Sequence, residues 1–363
     1  MDKKKIRLFE RVAEANAKRK LEHRLAQLFW ECTLRCNLNC RHCGSDCRVD
    51  SLQDDMPFAD FEKVLDDIAS EISPETVFVI TTGGEPLVRR DIVQCGRAIS
   101  DKGFKWGMVT NGLLLTEEKL DELIDAGLKT IAISLDGFES DHNWMRGHND
   151  SFARAVRAVD ALVSREGSVM WDVITCVNAV NFPTLPDFRD FIISRGVRRW
   201  RLFTVFPSGR AVDEPAMFLN DMQYRQLMEF ITDTKKSGRI KLDYSCEGFL
   251  GDYELKVRRY PFFCQAGVNV ASVLSDGSLS GCLSIRSDYH QGNIYKDRFM
   301  DVWNNRYDIY RNREWKRKGE CADCEMWKYC EGNGMHLRSD DGHLVHCNYL
   351  ILKHTENELD KNE

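Results

Sequence analysis

Three cysteines near the start of the chain are spaced as ligands of a single metal centre. Cys36, Cys40 and Cys43 form a Cys-x3-Cys-x2-Cys pattern, which one loop could wrap around one cluster. A [4Fe–4S] cluster is ordinarily held by four cysteines, so three leave one iron open to a small molecule, as catalytic zinc sites leave a position for water. The pattern therefore predicts a catalytic cluster. By itself it also suits a zinc site or a group of reduced thiols.

The composition predicts a cytoplasmic globular protein whose cysteines serve metal or redox chemistry. Of 363 residues, 43% are hydrophobic and 30% are charged, and the net charge of −6 argues against a nucleic-acid partner. No apolar run reaches the roughly 20 residues of a membrane helix, and the charged start lacks the apolar core of a secretion signal. Thiols stay reduced in the cytoplasm, so the 14 cysteines point to bound metal rather than to disulfides.

Alternating strand-like and helix-like segments indicate an α/β fold with a parallel sheet. Short β-branched and aromatic runs predict six strands, at residues 25–30, 77–81, 106–110, 130–135, 169–177 and 200–206. Amphipathic stretches predict helices at residues 59–69, 92–102, 117–126, 152–163, 185–195 and 221–236. Six βα units form a partial barrel, because a complete eight-unit barrel typically takes about 250 residues.

The alternation ends near residue 240, and this break sets the expected domain organisation. We expect an N-terminal helical extension over residues 1–24 and a partial (βα)6 TIM-like barrel over 25–240. A small, loop-rich, cysteine-rich iron–sulfur domain over 241–350 and a polar, frayed tail over 351–363 would follow. Within the third part, two short strands at 269–274 and 279–283 flank an Asp-Gly turn and predict a hairpin. A core this small needs a staple, which metal would supply.

A second motif follows the second predicted strand. Gly83, Gly84 and Glu85 stand at its carboxyl end, where glycines let the backbone approach a ligand closely and Glu85 could accept a hydrogen bond from an ammonium group. Together with the cysteine triplet one βα unit earlier, this segment resembles the radical SAM superfamily. The resemblance implies a [4Fe–4S] cluster with an open site on the triplet, and bound S-adenosylmethionine (SAM).

Other strand-end residues receive roles by the same resemblance. Ser134 would contact the SAM ribose, Arg146 the methionine carboxylate and Asn178 the nucleoside region, while the Gly-Gly-Glu segment would also bind SAM. Ligands of open α/β sheets lie beyond the carboxyl ends of the strands, so these positions should converge. Each residue taken alone could equally be a cap or turn residue.

The C-terminal cysteines carry a second resemblance. Cys264 is followed by a glycine and then by Cys282, and a Cys-x2-Cys-x5-Cys segment is followed by one more cysteine. This order resembles the SPASM domain, an auxiliary iron–sulfur extension of peptide- and protein-modifying radical SAM enzymes. The resemblance implies an auxiliary cluster on four cysteines: Cys321, Cys324, Cys330 and Cys347. Without the upstream triplet, a structural zinc knuckle would be the preferred interpretation of these four cysteines.

One departure from the SPASM pattern concerns a further cluster. The pattern expects a cysteine four residues after Cys330, where this chain has Gly334. The first auxiliary cluster would then keep Cys264 and Cys282 alone. Cys246 is either a third ligand or a core thiol, and His336 or His346 is either a substitute ligand or a structural histidine. At least one auxiliary iron–sulfur cluster is expected, and the existence of the other stays open.

The expected function follows from the resemblance. Such an enzyme cleaves SAM reductively to a 5′-deoxyadenosyl radical, which abstracts hydrogen from a substrate, here a peptide or protein that is oxidatively modified. The alternative substrate is a small molecule such as a tetrapyrrole, and a non-enzyme alternative is a zinc-stabilised binding protein. Expected partners are the substrate and an electron donor such as flavodoxin or ferredoxin, with no nucleic acid and no membrane. No residue is singled out as a catalytic acid or base.

Overall fold

One ten-stranded sheet runs through the barrel and into the cysteine-rich region. The computed structural model describes residues 3–245 and 248–360. The strand order is β10-β9-β8-β1-β2-β3-β4-β5-β6-β7. The strands are β1 (Gln27–Thr33), β2 (Phe78–Gly83), β3 (Lys105–Thr110), β4 (Leu128–Ser134), β5 (Met170–Val177), β6 (Arg199–Thr204), β7 (Lys241–Tyr244), β8 (Val270–Val273), β9 (Ser278–Ser280) and β10 (Gly292–Asn293).

Helices alternate with the strands in the first two thirds of the chain. They are α1 (Lys3–Glu22), α2 (Phe58–Glu71), α3 (Ile92–Asp101), α4 (Glu117–Asp125), α5 (Glu139–Arg146), α6 (Ser151–Ser164), α7 (Leu185–Ser194), α8 (Asp221–Ser237), α9 (Glu254–Val257), α10 (Phe299–Asn305), α11 (Asp308–Arg311), α12 (Trp327–Cys330) and α13 (Asn348–Asp360). Strands β1 to β7 are all parallel neighbours, so the sheet is an open barrel. The predicted α/β partial barrel is confirmed.

The two faces of the barrel strands differ in chemistry. The outer face is apolar and packs against the helices, as where Trp30 of β1 stacks on Phe61 of α2 with ring centroids 4.4 Å apart. The inner face carries polar side chains, including Asp172 and Arg201, whose two N–H···O contacts measure 2.7 and 2.9 Å. Because successive strand residues point to opposite faces, this alternation aims polar groups into the barrel and keeps the core outside it.

Two strands extend the parallel sheet beyond the six predicted ones. β7 pairs with β6, and β8 pairs in parallel with β1 from the other side. β7 has only four residues with alternating polarity, so its sequence carries too weak a signal to be recognised. The expected domain boundary at residue 240 therefore falls within the sheet, between β6 and β7. The predicted hairpin is confirmed, because β8 and β9 pair antiparallel.

Residues 351–360 of the expected frayed tail are helical, and residues 361–363 lie outside the described residues. Residues 348–360 form α13, which packs against α8. Leu352 and Thr355 are buried in this contact, and hydrophobic burial of even a few side chains orders an otherwise polar segment. At the other end, α1 agrees with the predicted N-terminal helix. None of the helices in the described ranges combines the length and apolar character that crossing a bilayer requires.

Candidate active site and auxiliary cysteine centre

The triplet lies in one loop that leaves the carboxyl end of β1. We call residues 34–48 the cysteine loop. Its two ends are tied together, because Cys36 N–H donates to the Arg48 carbonyl over 2.9 Å and Arg48 N–H donates to the Leu34 carbonyl over 3.3 Å. Cys36, Cys40 and Cys47 are buried in one small apolar cluster, and Cys43 packs against it. The structure thus brings the three thiols of the predicted motif together.

The Gly-Gly-Glu segment at the end of β2 contacts the start of this loop. Gly84 N–H donates to the Thr33 carbonyl over 2.7 Å, and Glu85 N–H donates to the Arg35 carbonyl over 3.0 Å. A Cβ atom on Gly84 would lie 2.1 Å from the Arg35 oxygen, and Gly83 has φ of +130°. Glycine is therefore required because two backbones meet here. The close approach that the sequence predicted is made to the cysteine loop itself.

Two further glycines contact the loop, one at the end of α5 and one in the segment after β6. Gly147, with φ of +67°, would carry a Cβ 2.7 Å from the Asn39 carbonyl oxygen, and Gly209, with φ of +57°, a Cβ 2.3 Å from the Cys43 carbonyl oxygen. The next residue, Arg210, donates through Nε to the Cys40 carbonyl at 2.8 Å and through its backbone N–H to the Cys43 carbonyl at 3.1 Å. These contacts fix the backbone that carries the thiols.

The three thiols differ in their proton affinity. Burial raises the pKa of Cys36 to about 12. Burial also raises the pKa of Cys40, although the charge of Arg146 opposes this. A hydrogen bond from Cys47 lowers the pKa of Cys43 to about 5, and Cys47, which keeps its proton for that bond, has a raised pKa. A buried thiol releases its proton most readily when a metal centre binds the resulting thiolate.

A buried ion pair stands beside Cys40. Arg146 Nε donates to Asp136 Oδ2 over 2.6 Å, and its Nη1 lies 3.8 Å from the Cys40 sulfur. Asp136 also accepts a hydrogen bond from Cys176 N–H at 2.9 Å. Burial, the largest single effect, would raise the pKa of Asp136, but the charges of Arg146, His142 and His42 and the hydrogen bond from Arg146 together lower it. Burial lowers the pKa of His142 to about 4, so this neighbour of the pair is neutral near pH 7.

The Glu85 carboxylate accepts hydrogen bonds from the protein itself rather than facing the barrel mouth unpaired. Its carboxylate accepts from Thr110 Oγ1 at 2.7 Å, from Asn111 N–H at 2.7 Å and from Leu87 N–H at 3.1 Å. Burial is the main reason that its pKa is raised. Asn111 in turn donates through its side chain to Asn37 Oδ1 at 2.8 Å, inside the cysteine loop. Glu85 therefore orients the end of β3 toward that loop.

The remaining predicted SAM residues lie at strand ends as expected. Ser134 ends β4 and is half-buried. Asn178 follows β5 and is buried, and its Oδ1 accepts from Val180 N–H at 2.8 Å and Asn181 N–H at 3.1 Å. Its Nδ2 lies 3.3 Å from the Met145 sulfur. Asn178 thus builds the turn after β5, whereas Ser134 is accessible from the mouth.

Unpartnered buried nitrogen atoms indicate that the loop suits a sulfur-rich anionic group. Asn37 Nδ2 and His42 Nδ1 are buried without a hydrogen-bond partner among the described residues. Burial lowers the pKa of His42 to about 3, so its ring is neutral. Leaving a buried donor unsatisfied costs about 1–3 kcal/mol, and the sulfur atoms of a cluster can accept such bonds. Three thiols, orphan polar atoms and the Arg146 cation together fit an iron–sulfur cluster.

Four C-terminal cysteines form a second group. One small cavity is lined by all four members of the predicted set: Cys321, Cys324, Cys330 and Cys347. Arg338 Nη2 lies 3.1 Å from the Cys321 sulfur, and Asn333 N–H donates to the Cys330 sulfur over 3.2 Å. The geometry agrees with the expectation that these thiols act as a unit. Within residues 3–245 and 248–360, however, no three His, Cys, Asp or Glu side chains already stand around a common point as metal ligands do.

Buried cations among these thiols fit a bound anion. Lys316 is fully buried, and its ammonium donates to the Asn333 carbonyl at 3.1 Å. Burial lowers its pKa to about 7, while the nearby thiols Cys264 and Cys330 oppose the shift. Arg338 is also buried. Burying a positive charge is costly unless a negative charge compensates it, so thiolates carrying an iron–sulfur cluster suit this interior.

Cys264 and Cys282 lie apart from that cavity but near each other. Burial raises the pKa of Cys282, and the Cys264 thiol adds to the shift. At the position where the pattern lacks a cysteine, the His336 ring covers the backbone, since a Cβ on Gly334 would lie 2.7 Å from His336 Cε1. Cys246, the possible third ligand, lies outside the described residues.

The sequence patterns did not identify every residue that shapes the site. No sequence pattern assigns a role at either cysteine centre to Arg210, Asp136, Lys316 or Arg338. Their common signal is a charged residue at a strand end or between cysteines. That signal does not reveal its partner, because the partner is distant in sequence.

Comparisons with known proteins agree with this geometry. Residues 30–192 match the model of the Radical SAM superfamily, and residues 264–325 match that of SPASM, an iron–sulfur cluster-binding domain. The AdoMet-dependent heme synthase of Methanosarcina barkeri is 26% identical over 84% of this chain and 89% of its own length. The mycofactocin maturase MftC of Mycolicibacterium smegmatis is 28% identical over 85% of this chain and 77% of its own.

Solved structures share the fold. Streptococcus suis SuiB bound to the precursor peptide SuiA superposes with a TM-score of 0.66 at 18% identity, covering 88% of this chain and 75% of that one. The two matched domains together span more than half of the chain. This enzyme therefore contains a radical SAM domain and a SPASM domain, and the cofactors that these domains imply are a [4Fe–4S] cluster, SAM and auxiliary iron–sulfur clusters.

Proposed function

We propose that the enzyme oxidises a peptide or protein substrate, with Cys36, Cys40 and Cys43 as ligands of the SAM-binding cluster. When bound, the cluster and SAM supply one-electron cleavage of the sulfonium and abstraction of a hydrogen atom from carbon. The observation that carries this assignment is the position of the three thiols in one loop and at one small cluster, at the carboxyl end of β1. Backbone contacts at Gly84, Gly147 and Gly209 fix this loop.

The residues around the loop have distinct tasks in this proposal. Arg146 balances the negative charge of the ligating sulfur atoms, and Asp136 holds its guanidinium toward Cys40. Leu38 is buried among the thiols and, with Leu113, excludes water from them. Water exclusion matters because a reactive species at the barrel mouth would otherwise be quenched before it met its substrate.

SAM would lie between the cysteine loop and the ends of β2, β4 and β5. We infer direct contact for Ser134, which ends β4 and is half-buried. Arg146 would meet the methionine carboxylate from its place beside Cys40. Glu85 and Asn178, whose polar atoms are engaged within the protein, would act by holding their strand ends in position, together with Gly83.

The second cysteine group would hold an auxiliary cluster. Cys321, Cys324, Cys330 and Cys347 provide the four thiolates that an iron–sulfur cluster ordinarily takes. Arg338 and Lys316 would compensate its charge. Cys264 and Cys282 would contribute two sulfurs to a further centre, which the pair alone does not complete.

Charge balance at the barrel mouth favours a peptide over a polyanionic small molecule. Six arginines around the cysteine loop form ion pairs with five carboxylates: Arg35 with Asp55, Arg41 with Glu214, Arg146 with Asp136, Arg286 with Glu31, and both Arg48 and Arg210 with Asp46. A tetrapyrrole carries several carboxylates and would need unpaired cations to replace their hydration. These pairs leave an excess of one positive charge, which suits a substrate of low net charge.

A tetrapyrrole substrate is the second candidate. It is favoured by the heme synthase relatives, which match 84% of this chain at 23–26% identity. The two candidates share the same SAM chemistry and differ in what enters the barrel.

We expect Cys36→Ala to abolish cleavage of SAM. The variant removes one of three ligands, so the cluster that delivers the electron would not assemble. The anaerobically reconstituted protein, reduced with dithionite, should form 5′-deoxyadenosine, and the variant should form none and contain less iron. Cys95→Ala is the matched control, because Cys95 is a buried thiol in the main core. Wild-type protein that binds iron but yields no 5′-deoxyadenosine would contradict the proposal.

Gly209→Ala should lower the iron and sulfide content of the protein by more than its loss of thermal stability would explain. The new Cβ would strike the Cys43 carbonyl and displace the loop. Gly238→Ala is the control, since Gly238 has a similar φ of +66° but nothing within 4 Å of its Cβ position. Both changes should cost about 1 kcal/mol of backbone strain in thermal unfolding. Iron and sulfide content should fall for Gly209→Ala alone; equal content in both variants would rule out this role of the turn.

Arg338→Gln should deplete the auxiliary iron while sparing the SAM site. The change removes a charged donor from the Cys321 sulfur, and a hydrogen bond of this type contributes about 1.5–3 kcal/mol. We expect lower iron per chain but normal 5′-deoxyadenosine formation with dithionite. Arg311→Gln provides the comparison, because Arg311 donates to the Gly267 carbonyl at 3.0 Å and lies away from the cysteine cavity. An equal iron loss in both would indicate general destabilisation instead.

Substrate class can be tested by offering both kinds of molecule to the same enzyme. Peptide extracts of a strain lacking the gene should contain a peptide that loses two hydrogens in the presence of enzyme and SAM, as measured by mass spectrometry. Cys36→Ala protein should leave it unchanged. An iron porphyrin carrying propionates should neither shift its absorption band on addition of enzyme nor lose carboxylate. Decarboxylation of the porphyrin would establish the second candidate.

A further inference from the structure

The first half of α1 and the start of α9 enclose an open cleft of about 830 Å³. We call it the basic cleft, after the six cations that line it: Lys3, Lys4, Lys5, Arg7, Arg11 and Lys256. One carboxylate, Asp252, faces them and pairs with Lys5 at 2.6 Å. The cleft lies outside the barrel mouth and takes no part in the chemistry derived above.

The charge of the basic cleft is opposite to that of the whole chain. Six cations against one carboxylate give a strongly positive surface, although the net charge of the chain is −6. Lys4, Arg7 and Arg11 are exposed. A concentrated patch of this kind attracts a partner of opposite charge and speeds its association.

An apolar strip runs along the same cleft. Leu8 of α1 is 38% exposed and Leu255 of α9 is 39% exposed, and both line it. Cations around exposed leucines suit a folded protein surface, in which carboxylates surround a small apolar patch. A simple anion would gain nothing from the leucines.

The basic cleft adjoins the auxiliary cysteine group. Phe9, on the same helix, packs against Phe249 with ring centroids 5.8 Å apart and against Tyr329 at 5.4 Å. Phe249 lines the cavity that holds the four cysteines, and Tyr329 immediately precedes Cys330. A protein seated in the cleft would therefore be separated from these thiols by one layer of aromatic side chains.

We propose that the basic cleft is the docking surface of a small acidic electron-transfer protein that serves the auxiliary cysteine group. The inference rests on the proposed function for its redox role. One electron would pass from the reduced carrier, which is oxidised, to the iron–sulfur centre on Cys321, Cys324, Cys330 and Cys347. That centre would pass the electron on to the SAM-binding cluster on Cys36, Cys40 and Cys43, which is thereby reduced. The position of the cleft beside this group, rather than at the barrel mouth, favours a redox carrier over the substrate as its occupant.

Binding of an acidic flavodoxin to the reconstituted full-length enzyme tests the proposal. The triple variant Lys4→Glu, Arg7→Glu, Arg11→Glu reverses the exposed cations without touching the cysteine group. The control triple Lys129→Glu, Arg154→Glu, Arg157→Glu alters exposed cations elsewhere and changes the net charge equally. By titration calorimetry, wild type and control should bind alike, and the cleft variant roughly tenfold or more weakly. Raising the salt concentration should weaken wild-type binding.

Equal flavodoxin affinity of the cleft variant and wild type would overturn the proposal. So would binding of wild type to vesicles containing phosphatidylglycerol in the absence of flavodoxin binding, because the cleft would then face a membrane. With dithionite as reductant, the cleft variant should form 5′-deoxyadenosine at the wild-type rate, and only the flavodoxin-driven reaction should slow. If the wild-type enzyme formed no 5′-deoxyadenosine with dithionite, the proposed function would be contradicted instead. The flavodoxin-binding measurement would still test the docking surface on its own.

Discussion

Backbone contact between the cysteine loop and three glycines, one after β2, one at the end of α5 and one after β6, is the constraint on which the rest of the site depends. The loop passes so close to Gly84, Gly147 and Gly209 that no side chain fits between the chains. Thiols on a flexible loop would lose conformational entropy each time a cluster assembled. A loop held between three backbone segments loses most of that entropy on folding, because the surrounding structure fixes its backbone.

The positions of the charged groups beside the thiols follow from the burial of the same loop. The loop buries thiols that must become thiolates, and burial by itself raises the pKa of Cys36 and Cys40. Arg146 offsets this for Cys40, but a buried arginine also needs a partner, which Asp136 provides. The buried cations beside the four C-terminal cysteines are compensated differently. There Arg338 and Lys316 contact carbonyls and sulfur, so their compensation would come from the cluster-bearing thiolates themselves.

Much of this arrangement could be predicted from sequence because its signals are local. Strand runs of six to eight residues, amphipathic helices and close cysteine spacing each lie within one short window. The pairing of β8 with β1 joins segments more than two hundred residues apart, so no local pattern predicts it. β7 has only four residues, too few for a recognisable strand pattern. Glu85 shows the same limit at the site. Its position could be read from the motif, but its partners on β3 depend on the register of neighbouring strands.

The pairing of β8 with β1 joins the barrel and the cysteine-rich region through one continuous sheet. Glu31 on β1 accepts from Ser275 N–H at 3.2 Å, just after β8, and pairs with Arg286 at 3.2 Å. Arg286 also donates to Ser45 Oγ in the cysteine loop. One buried carboxylate thus ties the barrel strand, the hairpin and the loop together. Electron exchange between two centres requires a fixed separation, and a continuous sheet with a cross-linking ion pair maintains it better than a flexible linker between domains could.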